Sequence, residues 1–307
     1  MNYVNAQHRY YYLDYYLREK YHCKVFKVAL NGNFSCPNRD GTISARGCLF
    51  CSEKGSGDFA GNPNDPLSSQ FQIIRGVTGQ KWKDAKYIAY FQANSNTYGP
   101  IEKIIDLAEQ AIKLDPDIVA ISLATRCDCL SDGVLNYLGM LNQRIPVWIE
   151  LGLQTIHPET MKAMNLGYDL ETFQKAVNDL RLRSIDVIVH IIDGLPGETK
   201  TMMLETAQFL NSQDIQGLKI HSLFVLKNTP LGDEYLKKPF PLLTMEEYVD
   251  IVSEQLAILN DRIVIHRVSG DAPAEDLIEP KWSAKKLVVM NEIDKAMKRK
   301  KYRQGCR

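Results

Sequence analysis

The chain has 307 residues, 45% hydrophobic, 9% aromatic and 24% charged, proportions that exclude a disordered chain, a collagen-like repeat and a coiled coil. Thirty-seven Lys and Arg balance thirty-seven Asp and Glu, which at first argues against a nucleic-acid partner. The balance hides an asymmetry: residues 281–307 carry ten bases against Glu292 and Asp294, a net of +8, so residues 1–280 carry −8. Such a segment is either a basic arm that meets an anion, nucleic acid being the usual one, or a solvated helical face.

In chain order, a Tyr-rich start (Tyr10, Tyr11, Tyr12, Tyr15, Tyr16) has no signal-peptide apolar stretch. Tyrosines at this density pack an amphipathic helix onto a core, or else stack on bases. No apolar run reaches the roughly 18 residues of a membrane span, so a cytoplasmic protein without membrane contact is expected. Strand-length apolar runs at 24–30, 87–92, 118–123, 147–151, 187–192 and 218–225 then alternate with helical patterns at 67–77, 101–114, 132–141, 170–181 and 199–210. Six strands joined by five intervening helices imply parallel pairing through right-handed crossovers. Near-continuous Val, Ile and Leu runs fit strands buried on both faces, in a closed or partly closed barrel or in a doubly wound open sheet. A later strand at 262–267 and a basic terminal helix form an appendage. The divisions are an N-terminal segment (1–22), a catalytic α/β domain (23–230) and a C-terminal extension (231–307).

Polar side chains collect where the strands end, the place where parallel barrels carry their chemistry. These are residues 31–51, 92–97 and 122–129, with Glu150, Gln154, His190, Asp193 and His221. Of the seven cysteines, Cys36, Cys48 and Cys51 form a C-x11-C-x2-C loop rich in Gly, Asn, Asp and Arg just after the first strand. Three thiolates can hold three irons of a [4Fe-4S] cube and leave the fourth iron open. Zinc, or a closed cluster with a distant fourth ligand, is the alternative. Cys127 and Cys129, His190, His221 and His266 stand at strand ends. Cys129, His190 and His221 are the candidates for a hydrogen donor, acid or base.

With an aromatic, Phe50, just before the last cysteine, this loop resembles the radical S-adenosylmethionine (SAM) superfamily. The eleven-residue first gap is longer than the superfamily's commonest spacing and is similar to the Elongator-catalytic-subunit-like branch. Two further segments support that branch: Glu150-Leu151-Gly152-Leu153-Gln154-Thr155 and Gly194-Leu195-Pro196-Gly197-Glu198-Thr199. The whole pattern, including the Cys36-Pro37-Asn38-Arg39-Asp40-Gly41-Thr42 stretch, looks like the YtqA/YhcC-type radical SAM proteins from about Tyr21 to Trp282.

The resemblance implies a partial (β/α)6 TIM-like barrel of the radical SAM type. It implies a [4Fe-4S] cluster on Cys36, Cys48 and Cys51, with S-adenosyl-L-methionine chelating the open iron. SAM is then cleaved to methionine and a 5'-deoxyadenosyl radical that abstracts a substrate hydrogen. By the same resemblance Phe50 packs by the adenine, and Gln92 and Asn94 meet SAM's amino group. Arg126 or Asp128 meets the methionine carboxylate or ribose, and Glu150 and Gln154 the ribose or amino group. The branch points to tRNA as substrate, at the carbon-5 side chain of a wobble uridine. One reaction is removal of the carboxymethyl group from carboxymethylaminomethyluridine to leave aminomethyluridine. Lys298, Arg299, Lys300, Lys301 and Arg303 would grip RNA phosphates, and flavodoxin or ferredoxin would supply electrons. A radical SAM enzyme for a small molecule, and a non-catalytic iron-sulfur or zinc RNA-binding protein, are the alternatives.

Overall fold

The computed structural model of the protein describes residues 8–79, 82 and 84–307; residues 1–7 of the expected N-terminal segment lie outside the described residues. The strands are β1 (Val25–Leu30), β2 (Lys86–Phe91), β3 (Ile118–Thr125), β4 (Val147–Gln154), β5 (Asp186–Asp193), β6 (Gly217–Ser222), β7 (Val225–Leu226), β8 (Val264–Arg267) and β9 (Leu277–Glu279). The helices are α1 (Leu13–Tyr21), α2 (Leu67–Gly79), α3 (Ile101–Ile112), α4 (Asp132–Asn142), α5 (Pro158–Ala163), α6 (Leu170–Arg181), α7 (Lys200–Leu210), α8 (Pro230–Lys237), α9 (Met245–Ile258) and α10 (Lys286–Arg299). Side-chain caps start the helices where the sequence punctuates them. Ser131 accepts from the Val134 amide, Asp169 from Thr172, Thr199 from Met202 and Thr229 from Gly232, while Thr244 and Glu247 form a capping box. No helix among the described residues is long and apolar enough to cross a membrane.

Strand order decides between the two sheet architectures. The main sheet runs β1-β2-β3-β4-β5-β6-β8, every pair parallel, and chain order is never reversed, as a doubly wound sheet requires. The sheet is therefore a singly wound partial barrel with helices outside, as expected. Its curl is visible in side chains that meet across the inside: Lys219 of β6 donates to the Tyr90 hydroxyl of β2, and Lys27 of β1 bonds Glu150 of β4. A seventh strand, β8, comes from the C-terminal extension and pairs with β6.

The Tyr-rich segment packs. Leu17 of α1 joins Val25, Ile88, Ala120, Trp148 and Ile188 in an apolar cluster at the foot of the barrel, where the strands begin. Tyr10 and Tyr11 are buried, and Tyr12 makes one parallel bridge to Ile265 that extends the β8 edge. Gln304, 2% exposed, ties both ends of the chain together. Its amide donates to the carbonyls of Asn260 and Ile263 and accepts from the Tyr11 amide.

The basic segment is not a detachable arm. Val289, Ile293, Ala296 and Met297 of α10 are buried in the main core. Lys300, expected on RNA phosphate, bonds the Asp250 carboxylate and the Ser253 hydroxyl and sits 3.5 Å from Glu254, pinning α10 to α9. Its charge is taken by α9, which corrects that assignment. Lys298, Arg299, Lys301 and Arg303 are exposed. Because neighbouring Gln304 bonds residues just before β8, these four lie at the foot of the sheet, opposite the strand ends where a parallel barrel works.

Replacing Gln304 by Ala strands a buried amide and two carbonyls, and should lower stability by on the order of 3 kcal/mol, read as the denaturant midpoint at unchanged slope. A variant as stable as the parent would show that the two chain ends are not held here.

Candidate active site

The cysteine loop fills the space between β1 and α2 at the C-terminal ends of the strands. Its long first gap folds back on itself: the Gly47 amide donates to the Asn38 carbonyl at 2.6 Å, and Arg39 and Asp40 amides donate to Cys36. Gly47 has φ +72 and a Cβ there would lie 3.2 Å from the Arg39 side chain, so glycine suits both the turn and the packing. Asn38, fully buried, donates both to the Asn165 carbonyl (2.6 Å) and to Cys48 Sγ (3.4 Å). Arg39 reaches Cys51 Sγ at 3.7 Å while holding the Ser52 and Glu53 carbonyls, and Ser56 Oγ lies 3.7 Å from the same sulfur.

This donor set fits an iron-sulfur cluster. Burial pushes the Cys48 thiol up to about 12 and raises Cys51, so each becomes a thiolate at neutral pH only against a bound cation. Donors aimed at the sulfurs are a means by which proteins tune such clusters. Among the described residues no three His, Cys, Asp or Glu side chains are grouped as one metal ion requires; thiolates that each take a separate iron need no such convergence.

The other mouth residues are placed as follows. Phe50 is half-buried against the core. Gln92 and Asn94 brace the cysteine loop, donating to the Ser56 and Phe34 carbonyls at 2.8 and 3.0 Å. An ammonium group takes acceptors, so the amide oxygens are the atoms such a role would use. Arg126 and Asp128 form a two-pronged ion pair, 2.8 and 2.7 Å, with the guanidinium 4.9 Å from the Tyr168 ring. Gln154 ends β4 at φ 67, beyond a register shift. Its amide nitrogen lies 2.5 Å from where a Cβ on Gly152 would stand, so only glycine leaves room for it. Cys127 and Cys129 are buried; burial pushes Cys127 up to about 12 and Cys129 higher, which leaves both thiols neutral.

Glu150 is not at the mouth. It is fully buried inside the barrel, accepting from Lys27, Lys219, Ser122 (2.7 Å) and His190 Nε2 (2.8 Å). Both oxygens are taken, which corrects its assignment to SAM. Burial opposes its charge, but Lys219 and Lys27 outweigh that and hold its pKa well below the carboxylate range. An ionised carboxylate only accepts, so His190 donates through Nε2. Burial, reinforced by Lys219, drops His190 to about 4; burial and Arg267 lower His221 well below the usual range. Both imidazoles are neutral at pH 7, so neither is an imidazolium acid. Burial brings Lys219 down to about 7 despite its carboxylate partner.

Sequence reasoning missed Lys27, Tyr90 and Lys219, which share this layer with Ser122. The available signal was a lysine inside each of two apolar strand runs, a residue almost never buried unless paired.

Glu150→Gln strands two buried ammonium groups and should cost about 3–5 kcal/mol, read by chemical unfolding at pH 7. Because the folded pKa is depressed, this stability is full above the unfolded value of about 4.3 and is lost as pH falls through the folded one, so parent and variant should converge in acid. Equal stability at pH 7 would show that the lysines do not depend on Glu150.

Comparison with known proteins agrees with this geometry. The Radical SAM superfamily model matches residues 41–210 and the Radical_SAM C-terminal domain model residues 215–299. The chain is 48% identical to YtqA of Bacillus subtilis over 303 residues, covering 99% of this chain and 94% of that protein. It is 26% identical to a tRNA uridine(34) acetyltransferase of Methanocaldococcus infernus over 193 residues, 61% of this chain and 35% of that one. The solved structure of M. infernus Elp3 lacking its N-terminus superposes with a TM-score of 0.68 at 19% identity, over 92% of this chain and 64% of that one, a likeness of fold. With one family model spanning more than half its length and a near-full-length relative, the chain belongs to the radical SAM superfamily, enzymes that use a [4Fe-4S] cluster and S-adenosyl-L-methionine.

Proposed function

We propose that this radical SAM enzyme modifies tRNA at the carbon-5 side chain of the wobble uridine, converting carboxymethylaminomethyluridine to aminomethyluridine. The observation that carries this reading is the alignment of 193 residues with a protein named for its action on tRNA uridine 34. Cys36, Cys48 and Cys51 hold the cluster, and Phe50, Gln92, Asn94, Gln154 and the Arg126–Asp128 pair line the SAM site. When bound, the cluster and SAM supply one-electron cleavage of SAM and, from it, the power to take a hydrogen atom from an unactivated C–H. The electron comes from an external donor of the flavodoxin or ferredoxin kind.

The substrate's own chemistry completes the reaction. Loss of a hydrogen atom to the deoxyadenosyl fragment of SAM, and then of an electron to the external one-electron carrier, from the methylene between nitrogen and carboxylate gives an iminium group. Water hydrolyses it to the amine and glyoxylate. The barrel keeps this chemistry away from bulk water and presents the methylene to the mouth, while Cys127 and Cys129 stand there as neutral thiols. An anticodon base enters such a site unstacked from the loop.

Lys298, Arg299, Lys301 and Arg303 contact phosphates from the foot of the barrel. Strands of six to eight residues span roughly 20–26 Å, so the RNA must lie along the flank of the barrel to bring one base to the mouth.

Two measurements test this. Nucleoside mass spectrometry of bulk tRNA from a strain lacking the gene should show carboxymethylaminomethyluridine accumulating at the expense of aminomethyluridine and its derivatives; an unchanged profile would refute the substrate. Replacing the four exposed bases by Ala should flatten the dependence of log tRNA affinity on log salt by about 3–4 while deoxyadenosine formation without RNA is unchanged. An unaltered slope would place the RNA elsewhere.

A further inference from the structure

The layer around Glu150 is one anion short. Lys27 and Lys219 both bond the same carboxylate, and among the described residues it is the carboxylate that meets them. Nearby Arg267, whose charge bears on both lysines, is paired with Asp271 at 3.3 Å. A surplus ammonium group inside a barrel is unfavourable unless something of opposite charge joins it.

The arrangement also has a direction. Glu150 is 0% exposed at its side chain, whereas Lys219 is 7%, Lys27 16% and His190 20% exposed. The cations and the imidazole are thus more open to an incoming group than the carboxylate is. One step toward the mouth on the same face of β6 stands His221. Its ring stacks on His190 at 5.6 Å, and its buried Nε2 bonds no described residue. An unpaired buried nitrogen beside an unneutralised ammonium marks a place for a polar ligand.

We infer that Lys27 and Lys219 form a subsite for a single carboxylate of the substrate, entered from the mouth past His190 and His221. Resting on the reaction proposed above, this assigns the carboxymethyl carboxylate to the two lysines. A surplus of one charge matches a carboxylate and is overshot by a phosphate dianion. The product has lost the carboxylate and kept its cationic amine, so the same lysines bind the substrate and repel the product. Burial already draws Lys219 toward deprotonation; the arriving carboxylate holds its proton in place.

The test measures binding of three anticodon stem-loops to reconstituted, SAM-loaded enzyme. One carries carboxymethylaminomethyluridine, one its methyl ester and one unmodified uridine. The parent should bind the carboxylate form at least tenfold tighter than the ester. Lys219→Met and Lys27→Met each leave a balanced lysine–glutamate pair, and so should keep their fold, read as a cooperative unfolding transition with the parent's denaturant slope. In each variant the preference for carboxylate over ester should vanish while ester affinity is unchanged. Equal loss for both RNAs, or an undiminished preference in both variants, would overturn the subsite. Turnover of the carboxylate RNA by the parent is followed separately: turnover without any carboxylate preference removes the subsite and leaves the reaction standing, whereas no turnover and no preference removes both.

Discussion

One buried carboxylate organises the inside of this barrel. Glu150 of β4 receives Lys27 from β1, Ser122 from β3, His190 from β5 and Lys219 from β6, so strands remote in the sheet are drawn to a common point. Hydrogen bonds from a flat sheet could not reach it. The apolar layer below, sealed by Leu17 of α1, excludes water and strengthens each of these interactions. Above it the strands end at the Gly152–Gln154 register shift of β4 and open into loops that carry the three cysteines and the neutral thiols. Fold and site are thus joined through a charge network: what curls the sheet also sets the polarity of the space beneath the reacting groups.

That network explains the division between the parts of the site legible from sequence and those that were not. The helix starts at Asp132 and Leu170 and the parallel order of the strands follow from local punctuation and apolar runs, which need no distant partner. The cysteine loop is similarly legible because its three cysteines and their glycines lie within sixteen consecutive residues. Lys27 and Lys219 were not, because burial of a lysine depends on a carboxylate more than sixty residues away, and a run such as Val25–Leu30 reads as apolar whichever way its one lysine points. Glu150 was noticed but placed a layer too high, since position in a motif does not distinguish the mouth from the interior. The seventh strand and the Gln304 tie likewise depend on contacts across most of the chain.

The basic segment shows the same limit in electrostatics. Its net charge of +8 is a property of composition, but packing divides it. Lys300 is consumed by Asp250 and Glu254 on α9, and the exposed Lys298, Arg299, Lys301 and Arg303 are held at the foot of the barrel, away from the cysteine loop. On the proposed function, charge here would supply long-range attraction and orientation for a polyanion, whereas selection among side chains would belong to the interior. On the function proposed above, grip and chemistry would be separated by the height of the sheet, as suits a macromolecular substrate that presents one small group to a deep site.

The most direct test is turnover by anaerobically reconstituted protein on an anticodon stem-loop bearing carboxymethylaminomethyluridine, with deoxyadenosine, glyoxylate and aminomethyluridine counted together. Aminomethyluridine and glyoxylate should form in equal amounts, accompanied by deoxyadenosine, and all three should be lost in Cys48→Ala. Deoxyadenosine formed from a four-iron protein while the RNA stays unchanged would contradict this reaction.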